Sequence, residues 1–365
     1  MATPTLEADI RRRIALAGPM PVRQFMALCL SHPEHGYYMT RDPLGRAGDF
    51  VTAPEVSQIF GELIGLWAAT VWQAMGQPEN LRLVELGPGR GTMMLDMLRA
   101  AHVVPAFRAA LVVHLVEISP ALRRRQEETL QGLDVPILWH SALDEVAEGP
   151  IIVLANEFFD ALPVHQAVRQ FNGWYERMVE IDGAGNFAFT IADEPIPLFE
   201  QLLPQSVRDA PIGALYEWRP DNVAFELARR VMREGGAALA IDYGHVESAP
   251  GETLQAVGGH GFVDPLASPG LVDLTAHVDF QALALAAEGM GVRVHGPIGQ
   301  AEFLRRMGIE QRADVLKSHA TRDKATDVDV AVSRLTGEGR TGMGKLFKAI
   351  AFSDPKLGAL PGFVG

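Results

Sequence analysis

The chain has 365 residues, 48% of them hydrophobic and 21% charged, with a formal net charge of −13. That composition excludes a disordered polymer and allows one large core with additions, while the acidic balance argues against a nucleic-acid substrate, whose phosphates call for clustered Lys and Arg. The single cysteine, Cys29, excludes an internal disulfide framework and fits a reducing cytoplasm, and no run approaches the ~18 apolar residues of a membrane span.

In chain order, Leu6 to Leu30 predicts two short helices broken by Gly18-Pro19-Met20-Pro21. Arg11-Arg12-Arg13 stands beside Glu7 and Asp9, acids in which transit peptides are poor, so the N-terminus reads as mature sequence without transit or signal peptide. His32 and His35 have H-x-x-H spacing, but Pro33 and Gly36 make the segment a loop, and no metal is expected. Turn formers continue to about Pro54, where a helix begins with Thr52 as a candidate cap and Glu55 in the first turn. Ile59 to Met75 reads as a buried helix.

An alternating pattern starts at Leu81. Strands are predicted at Leu81–Leu86, Leu111–Glu117, Val135–Trp139 and Ile151–Ala155, with helices at Thr92 to about Ala101 and Pro120 to about Leu130. This β-α-β rhythm predicts an α/β class, a doubly wound Rossmann-like sheet. Val164 to Ala192 changes to a hairpin around Asp182-Gly183-Ala184-Gly185-Asn186, read as an insertion. A helix from about Asp221 to Glu234 leads through Gly235-Gly236 into a strand ending at Asp242; a mobile Gly/Pro-rich loop spans Pro250 to Pro269, and a strand at Leu346 to Phe352 closes the chain. The segments are therefore 1–80 (helical extension and lid loop), 81–163 (first part of the core), 164–220 (insertion) and 221–365 (remainder of the core with a substrate-side loop).

Ligands of doubly wound sheets bind beyond the carboxyl ends of the strands. The first end carries Glu85 and the turn Gly87-Pro88-Gly89-Arg90-Gly91, whose glycines admit a ligand close to the backbone. The spacing is not the G-x-G-x-x-G of dinucleotide enzymes. An acid two residues before the first glycine is the usual arrangement in class I methyltransferases, where it faces the amino group of the methionine moiety of S-adenosylmethionine. Glu117, with Ile118, ends the second strand, where a carboxylate can accept both ribose hydroxyls of a nucleoside; NAD enzymes use the same device. The third end, Ser141-Ala142-Leu143, falls where methyltransferases contact adenine. Asn156-Glu157 and Asp160 follow the fourth strand, beside the expected position of the reactive methyl.

These stretches resemble the MidA-like family of methyltransferases, which includes the mitochondrial complex I assembly factor that methylates protein arginine. The similar segments are Gly48 to Gln58, Val84 to Thr92, Asn156 to Val164, Ala240 to Gly244 and Asp273 to Phe280. The resemblance implies an enzyme that moves a methyl group to an arginine of a partner protein, in that family the quinone-side core subunit of respiratory complex I. A chain without a transit segment looks like a bacterial, cytoplasmic member. Conventional arginine methyltransferases carry a two-glutamate hairpin after the fourth strand, whereas here only Asn156-Glu157, with Asp160 nearby, is offered.

A guanidinium acceptor would be held by carboxylates bonded to its other nitrogens. Glu157 is the first candidate, with Asp160, Asp242 and Asp279 as supporting acids. Asp49, Phe50 and Thr52 join the cofactor set as lid residues; Tyr37 and Tyr38 could wall the acceptor channel or be ordinary core, and Tyr243 and His277 are further substrate-side candidates. A small-molecule methyltransferase and a cofactor-binding assembly factor without turnover remain as alternatives.

Overall fold

In the computed structural model, which describes residues 5–40, 52–259, 261–339 and 342–364, the alternation after Leu81 becomes a sheet. Its strands are β1 (Leu81–Leu86), β2 (Leu111–Val116), β3 (Ile137–His140), β4 (Ile151–Asn156), β5 (Gly236–His245), β6 (Arg293–Gly299) and β7 (Phe347–Ser353). Among the described residues these strands run in the order β3-β2-β1-β4-β5-β7-β6. Strands β1 to β5 are parallel, and β7 runs antiparallel to both β5 and β6. The order reverses between β1 and β4, where an open α/β sheet leaves a crevice. Apolar runs such as Ile151–Ala155 are buried throughout, as a strand covered on both faces requires.

The register brings the strand ends level. Leu86 lies opposite Val116 on one side and Ala155 on the other, and Asn156 lies opposite Ile241. Gly87, Glu117 and Glu157 therefore leave their strands along one edge, level with Asp242, which is still paired to Lys348 within β5.

Two compact units divide the chain along lines different from the four sequence segments. One takes Leu44–Phe159, Asp221–Gly244 and Ala282–Gly365; the other takes Met1–Pro43, Asp160–Pro220 and His245–Gln281. The helix Gln58–Ala74, expected in an N-terminal extension, belongs with the sheet. The reason is close packing: a Cβ on Gly61 would stand 2.8 Å from Asp96 Cβ, and one on Gly65 2.9 Å from Met97 Cα. These two glycines, one turn apart, let the helix press against Thr92–Ala100 and bury Leu63, Ile64 and Trp67. Each such burial contributes about 1.5–3 kcal/mol.

The other unit holds the insertion together with the N-terminal helices Leu6–Ala17 and Val22–Ser31. Its larger sheet orders Met20–Pro21, Gly173–Ile181, His165–Gln170 and Leu215–Trp218, with Phe187–Pro195 paired to Gly173–Ile181. The expected hairpin turn closes on Asp182, whose Oδ1 accepts the Ala184 and Asn186 amides at 2.9 and 2.8 Å. The segment expected as a mobile loop instead forms Gln255–Gly258 and Gly261–Val263, paired with each other; Gln255–Gly258 also pairs with Asp273–Thr275. Strand pairing with a partner distant in sequence, together with burial of Ala256 and Leu274, overrides the local Gly/Pro signal.

His114 on β2 and His140 on β3 stack, with Nδ1 of the first 2.9 Å from Nε2 of the second. One ring must donate and the other accept, so double protonation would break the contact. Burial, then the neighbouring ring, pushes His114 down to about 4, and burial lowers His140. A histidine depressed below its unfolded value stabilises the fold above about 6.5 and loses that contribution as the pH falls through its folded value. The denaturant midpoint is thus expected to drop between pH 7 and pH 4, and His140→Gln, which bonds without titrating, should flatten the drop. An equal fall in both proteins would show that the pair has no part in it.

Candidate active site

Glu85 occupies the first strand end. It is 3% exposed, and among the described residues its Oε2 has no hydrogen-bond partner. Burial pushes its carboxyl up to about 8. A buried acid left in this state is stabilised by an incoming cation, which supplies the missing donors and neutralises the charge. Beyond it the chain turns through Gly87, Gly89 and Gly91 at φ of 59°, 54° and 80°, in the left-handed region that favours glycine. A Cβ on Gly87 would lie 3.0 Å from Phe158 Cδ2, so this close approach needs the glycine as well. Pro88 is buried, and its carbonyl accepts the Gly91 amide at 2.8 Å.

At the second end Glu117 is buried. Its Oε1 accepts the Ser119 amide at 2.8 Å, and its Oε2 accepts Gln126 Nε2 at 3.3 Å. Burial raises its pKa, opposed by those bonds. A carboxylate has about four acceptor positions, so capacity remains for hydroxyl groups. Ile118 projects outward, 49% exposed, as an apolar surface beside it. At the third end the Ser141 amide is already engaged by Glu145 Oε2 at 2.8 Å, and Ser141 Oγ accepts Arg123 at 3.0 Å. Ala142 is exposed and Leu143 buried. The Ser141 amide and hydroxyl are thus both engaged within the protein.

The fourth end departs most from expectation. Thr52 stands at the N-cap of the short helix Ala53–Val56 but makes no side-chain capping bond. Glu157 does so instead: its Oε1 accepts the Ala53 amide at 2.9 Å and Asn156 Nδ2 at 3.3 Å. Glu157 has φ 50°, an uncommon conformation for a residue with a Cβ, and its own amide donates to Ile241 at 2.9 Å. Asp49 and Phe50 lie outside the described residues.

Asp242, a candidate supporting acid, is engaged by backbone amides. It is 0% exposed; its Oδ2 accepts the Phe158 and Phe159 amides at 3.1 and 2.9 Å, and its Oδ1 accepts the Tyr243 amide at 2.8 Å. Backbone donors in a dry setting make it a positioning residue for the turn after β4. Tyr243 is half-buried against Phe347, ring centroids 5.5 Å apart.

The remaining candidates belong to the other unit. Tyr37 is fully buried among Leu6, Ile10, Phe25 and Leu30, and is a core residue. Tyr38 donates to Asp273 Oδ2 at 3.0 Å; burial and then the charges of Asp273 and Asp160 hold its phenol well above the usual range. Asp160 and Asp279 are buried, the latter 3.8 Å from His245 Nε2. His277 donates its amide to Thr253 Oγ1 at 2.8 Å. Arg219 gathers four backbone carbonyls of this region, those of Asp160, Leu162, Ala276 and His277, at 2.7–3.1 Å. Sequence reasoning passed over Arg219, because its partners are backbone atoms far along the chain.

Among the described residues no group of three or more His, Cys, Asp or Glu could hold a metal, and no helix is long and apolar enough to cross a membrane.

A doubly wound sheet with one reversed strand, a glycine turn at its switch point and acids at the first two strand ends define a Rossmann-like methyltransferase. The chain belongs to the S-adenosyl-L-methionine-dependent methyltransferase family whose model matches residues 63–298. It is 37% identical over 385 residues to the mitochondrial protein arginine methyltransferase NDUFAF7 homolog of Drosophila melanogaster, covering 97% of this chain and 86% of that protein. To the mitochondrial protein arginine methyltransferase NDUFAF7 of Homo sapiens it is 37% identical over 361 residues, 92% of this chain and 79% of the human protein. A crystal structure from Burkholderia thailandensis with S-adenosyl-homocysteine bound superposes with a TM-score of 0.85 at 34% identity, covering 98% of this chain and 94% of that one. The residues fit S-adenosylmethionine: a buried acid suits its ammonium group, the glycine turn gives backbone access, and Glu117 retains acceptor capacity for hydroxyls.

Proposed function

We propose that this protein transfers the methyl group of S-adenosylmethionine to an arginine side chain of a partner protein. The observation that carries the reading is Glu157, a carboxylate fixed at the fourth strand end in a strained backbone conformation, with one oxygen on the Ala53 amide. The similarity to arginine methyltransferases over most of the chain supports it. When bound, the sulfonium supplies an already electrophilic methyl carbon. Glu85 takes the ammonium group of the methionine moiety, Gly87, Pro88, Gly89 and Gly91 line it, and Glu117 takes the ribose hydroxyls. Ile118 and the Ser141-Ala142-Leu143 segment flank the adenine, and Asn156 stands at the reactive end.

Glu157 holds the acceptor guanidinium through the nitrogens that do not react, which fixes the attacking nitrogen in line and concentrates electron density on it. On transfer the sulfur would keep the electron pair of its broken bond to the methyl carbon, leaving S-adenosylhomocysteine, and the methylated nitrogen would give one proton to water. The partner is proposed to be a subunit of the respiratory complex I class, met in the cytoplasm of a bacterial cell. Labelling a lysate with isotopic adenosylmethionine, with and without the protein, tests this reading. A labelled arginine on one polypeptide supports it; label confined to a metabolite, or none despite tight cofactor binding, overturns it.

Glu117→Ala is expected to weaken S-adenosylhomocysteine binding by about 1–3 kcal/mol, the scale of lost charge-assisted hydrogen bonds. Calorimetry on the folded variant checks this, and an unchanged dissociation constant would remove Glu117 from the ribose.

A further inference from the structure

Leu122, Gln126 and Leu130 recur at i, i+4 and i+8 along the helix Pro120–Thr129 and its C-cap, the stripe that faces the sheet, and all three are buried, Gln126 at 0% exposure. A primary amide costs free energy in such a place unless its atoms are bonded. Here Nε2 donates to the Gly89 carbonyl at 2.8 Å and to Glu117 Oε2 at 3.3 Å, while Oε1 accepts the indole N–H of Trp139 at 3.0 Å. An indole nitrogen only donates, and a carbonyl and a carboxylate accept, so chemistry permits one orientation of this amide. Gly91 adds a further tie, since a Cβ there would touch Gln126 Cα and Cγ at 3.6 Å. One side chain thus joins the glycine turn after β1, the acid after β2 and the indole of β3.

We infer that Gln126 is a positioning residue for the cofactor: it sets the Glu117 carboxylate at a fixed place relative to the Gly89 backbone, and so determines the preference for a nucleoside bearing both ribose hydroxyls. The inference rests on the reading of Glu117 as the ribose-facing acid. Ser119 holds Oε1 of that carboxylate through its amide, and Gln126 holds Oε2. Without the second tether the carboxylate can rotate about its terminal torsion, which is intrinsically soft.

The test uses the full chain and measures adenosine and 2′,3′-dideoxyadenosine in competition against S-adenosylhomocysteine. Gln126→Leu, close in volume and without polar atoms, is expected to lose adenosine affinity roughly tenfold while changing the dideoxy analogue less than about threefold. Equal losses for both nucleosides would mark a merely structural role and overturn the inference. Gln126→Glu places a second carboxyl against Glu117, so adenosine affinity should recover as pH falls from about 8 to about 6 and the pair shares a proton. A pH profile parallel to that of the unmodified protein overturns the inference even if Gln126→Leu fails to fold. Glu117→Ala is the reference: if it keeps the adenosine preference, the ribose reading itself fails, whereas if it loses the preference and Gln126→Leu keeps it, the inference about Gln126 alone fails.

Discussion

Glu85→Gln is expected to weaken S-adenosylhomocysteine binding by about 10²-fold or more, the scale measured when one partner of a desolvated charge pair is truncated. Glu85 is buried, its Oε2 lacks a partner among the described residues, and burial pushes its carboxyl up to about 8. In the free protein near neutrality the group holds its proton. An ammonium ligand draws the ionised form, so binding should release a proton and tighten about tenfold per unit between roughly pH 6 and 8, then level off. The Gln variant should show neither the release nor the slope, and 5′-methylthioadenosine, which lacks the amino acid moiety, should bind both proteins alike.

Stability should move the other way. An acid whose folded pKa lies above its unfolded value supports the fold below about 4.5 and loses that support as pH rises through 8. The Gln variant should therefore unfold at no lower a temperature than the parent at pH 8. Calorimetry in two buffers of different ionisation enthalpy, paired with thermal unfolding, separates these effects. Proton release preserved in the variant would sink the assignment of Glu85.

Glu157→Gln should leave cofactor affinity within a few fold and lower methyl transfer by roughly 10²-fold or more, as expected when positioning and electrostatic help to the transition state are lost. The substitution keeps the shape of the side chain, and a Gln carbonyl can still accept the Ala53 amide that Oε1 accepts at 2.9 Å. What it removes is the negative charge of the carboxylate. Calorimetry for the cofactor and mass spectrometry for methylated arginine form the paired measurement. Full activity would exclude Glu157 as the guanidinium clamp, and loss of cofactor binding would transfer it to the cofactor side.

The sequence by itself determined the alternation that builds the sheet and the acids and glycines that stand at its first strand ends. Leu81–Leu86 is apolar enough to be a strand buried on both faces, the glycines of 87, 89 and 91 announce a turn in the left-handed region, and Glu85 and Glu117 are legible because each stands at a strand terminus. These signals are local, carried by periodicity and by residues a few positions apart.

Only the tertiary structure decided what reaches across the chain. Glu157 caps a helix 104 positions earlier, where Thr52 is the local candidate, and Asp242 accepts amides 84 and 83 positions away and so supports the turn after β4. Strand register, set by pairing between segments, brought those ends level, and the close approach of Gly65 to Met97 drew the helix Gln58–Ala74 into the core. Gln126 carries no signal in the sequence analysis, because its partners after β1, after β2 and on β3 are set by the packing of its helix on the sheet. A hydrogen bond depends on where donor and acceptor arrive in space, and spacing along the chain carries that information only within a turn or a strand pair.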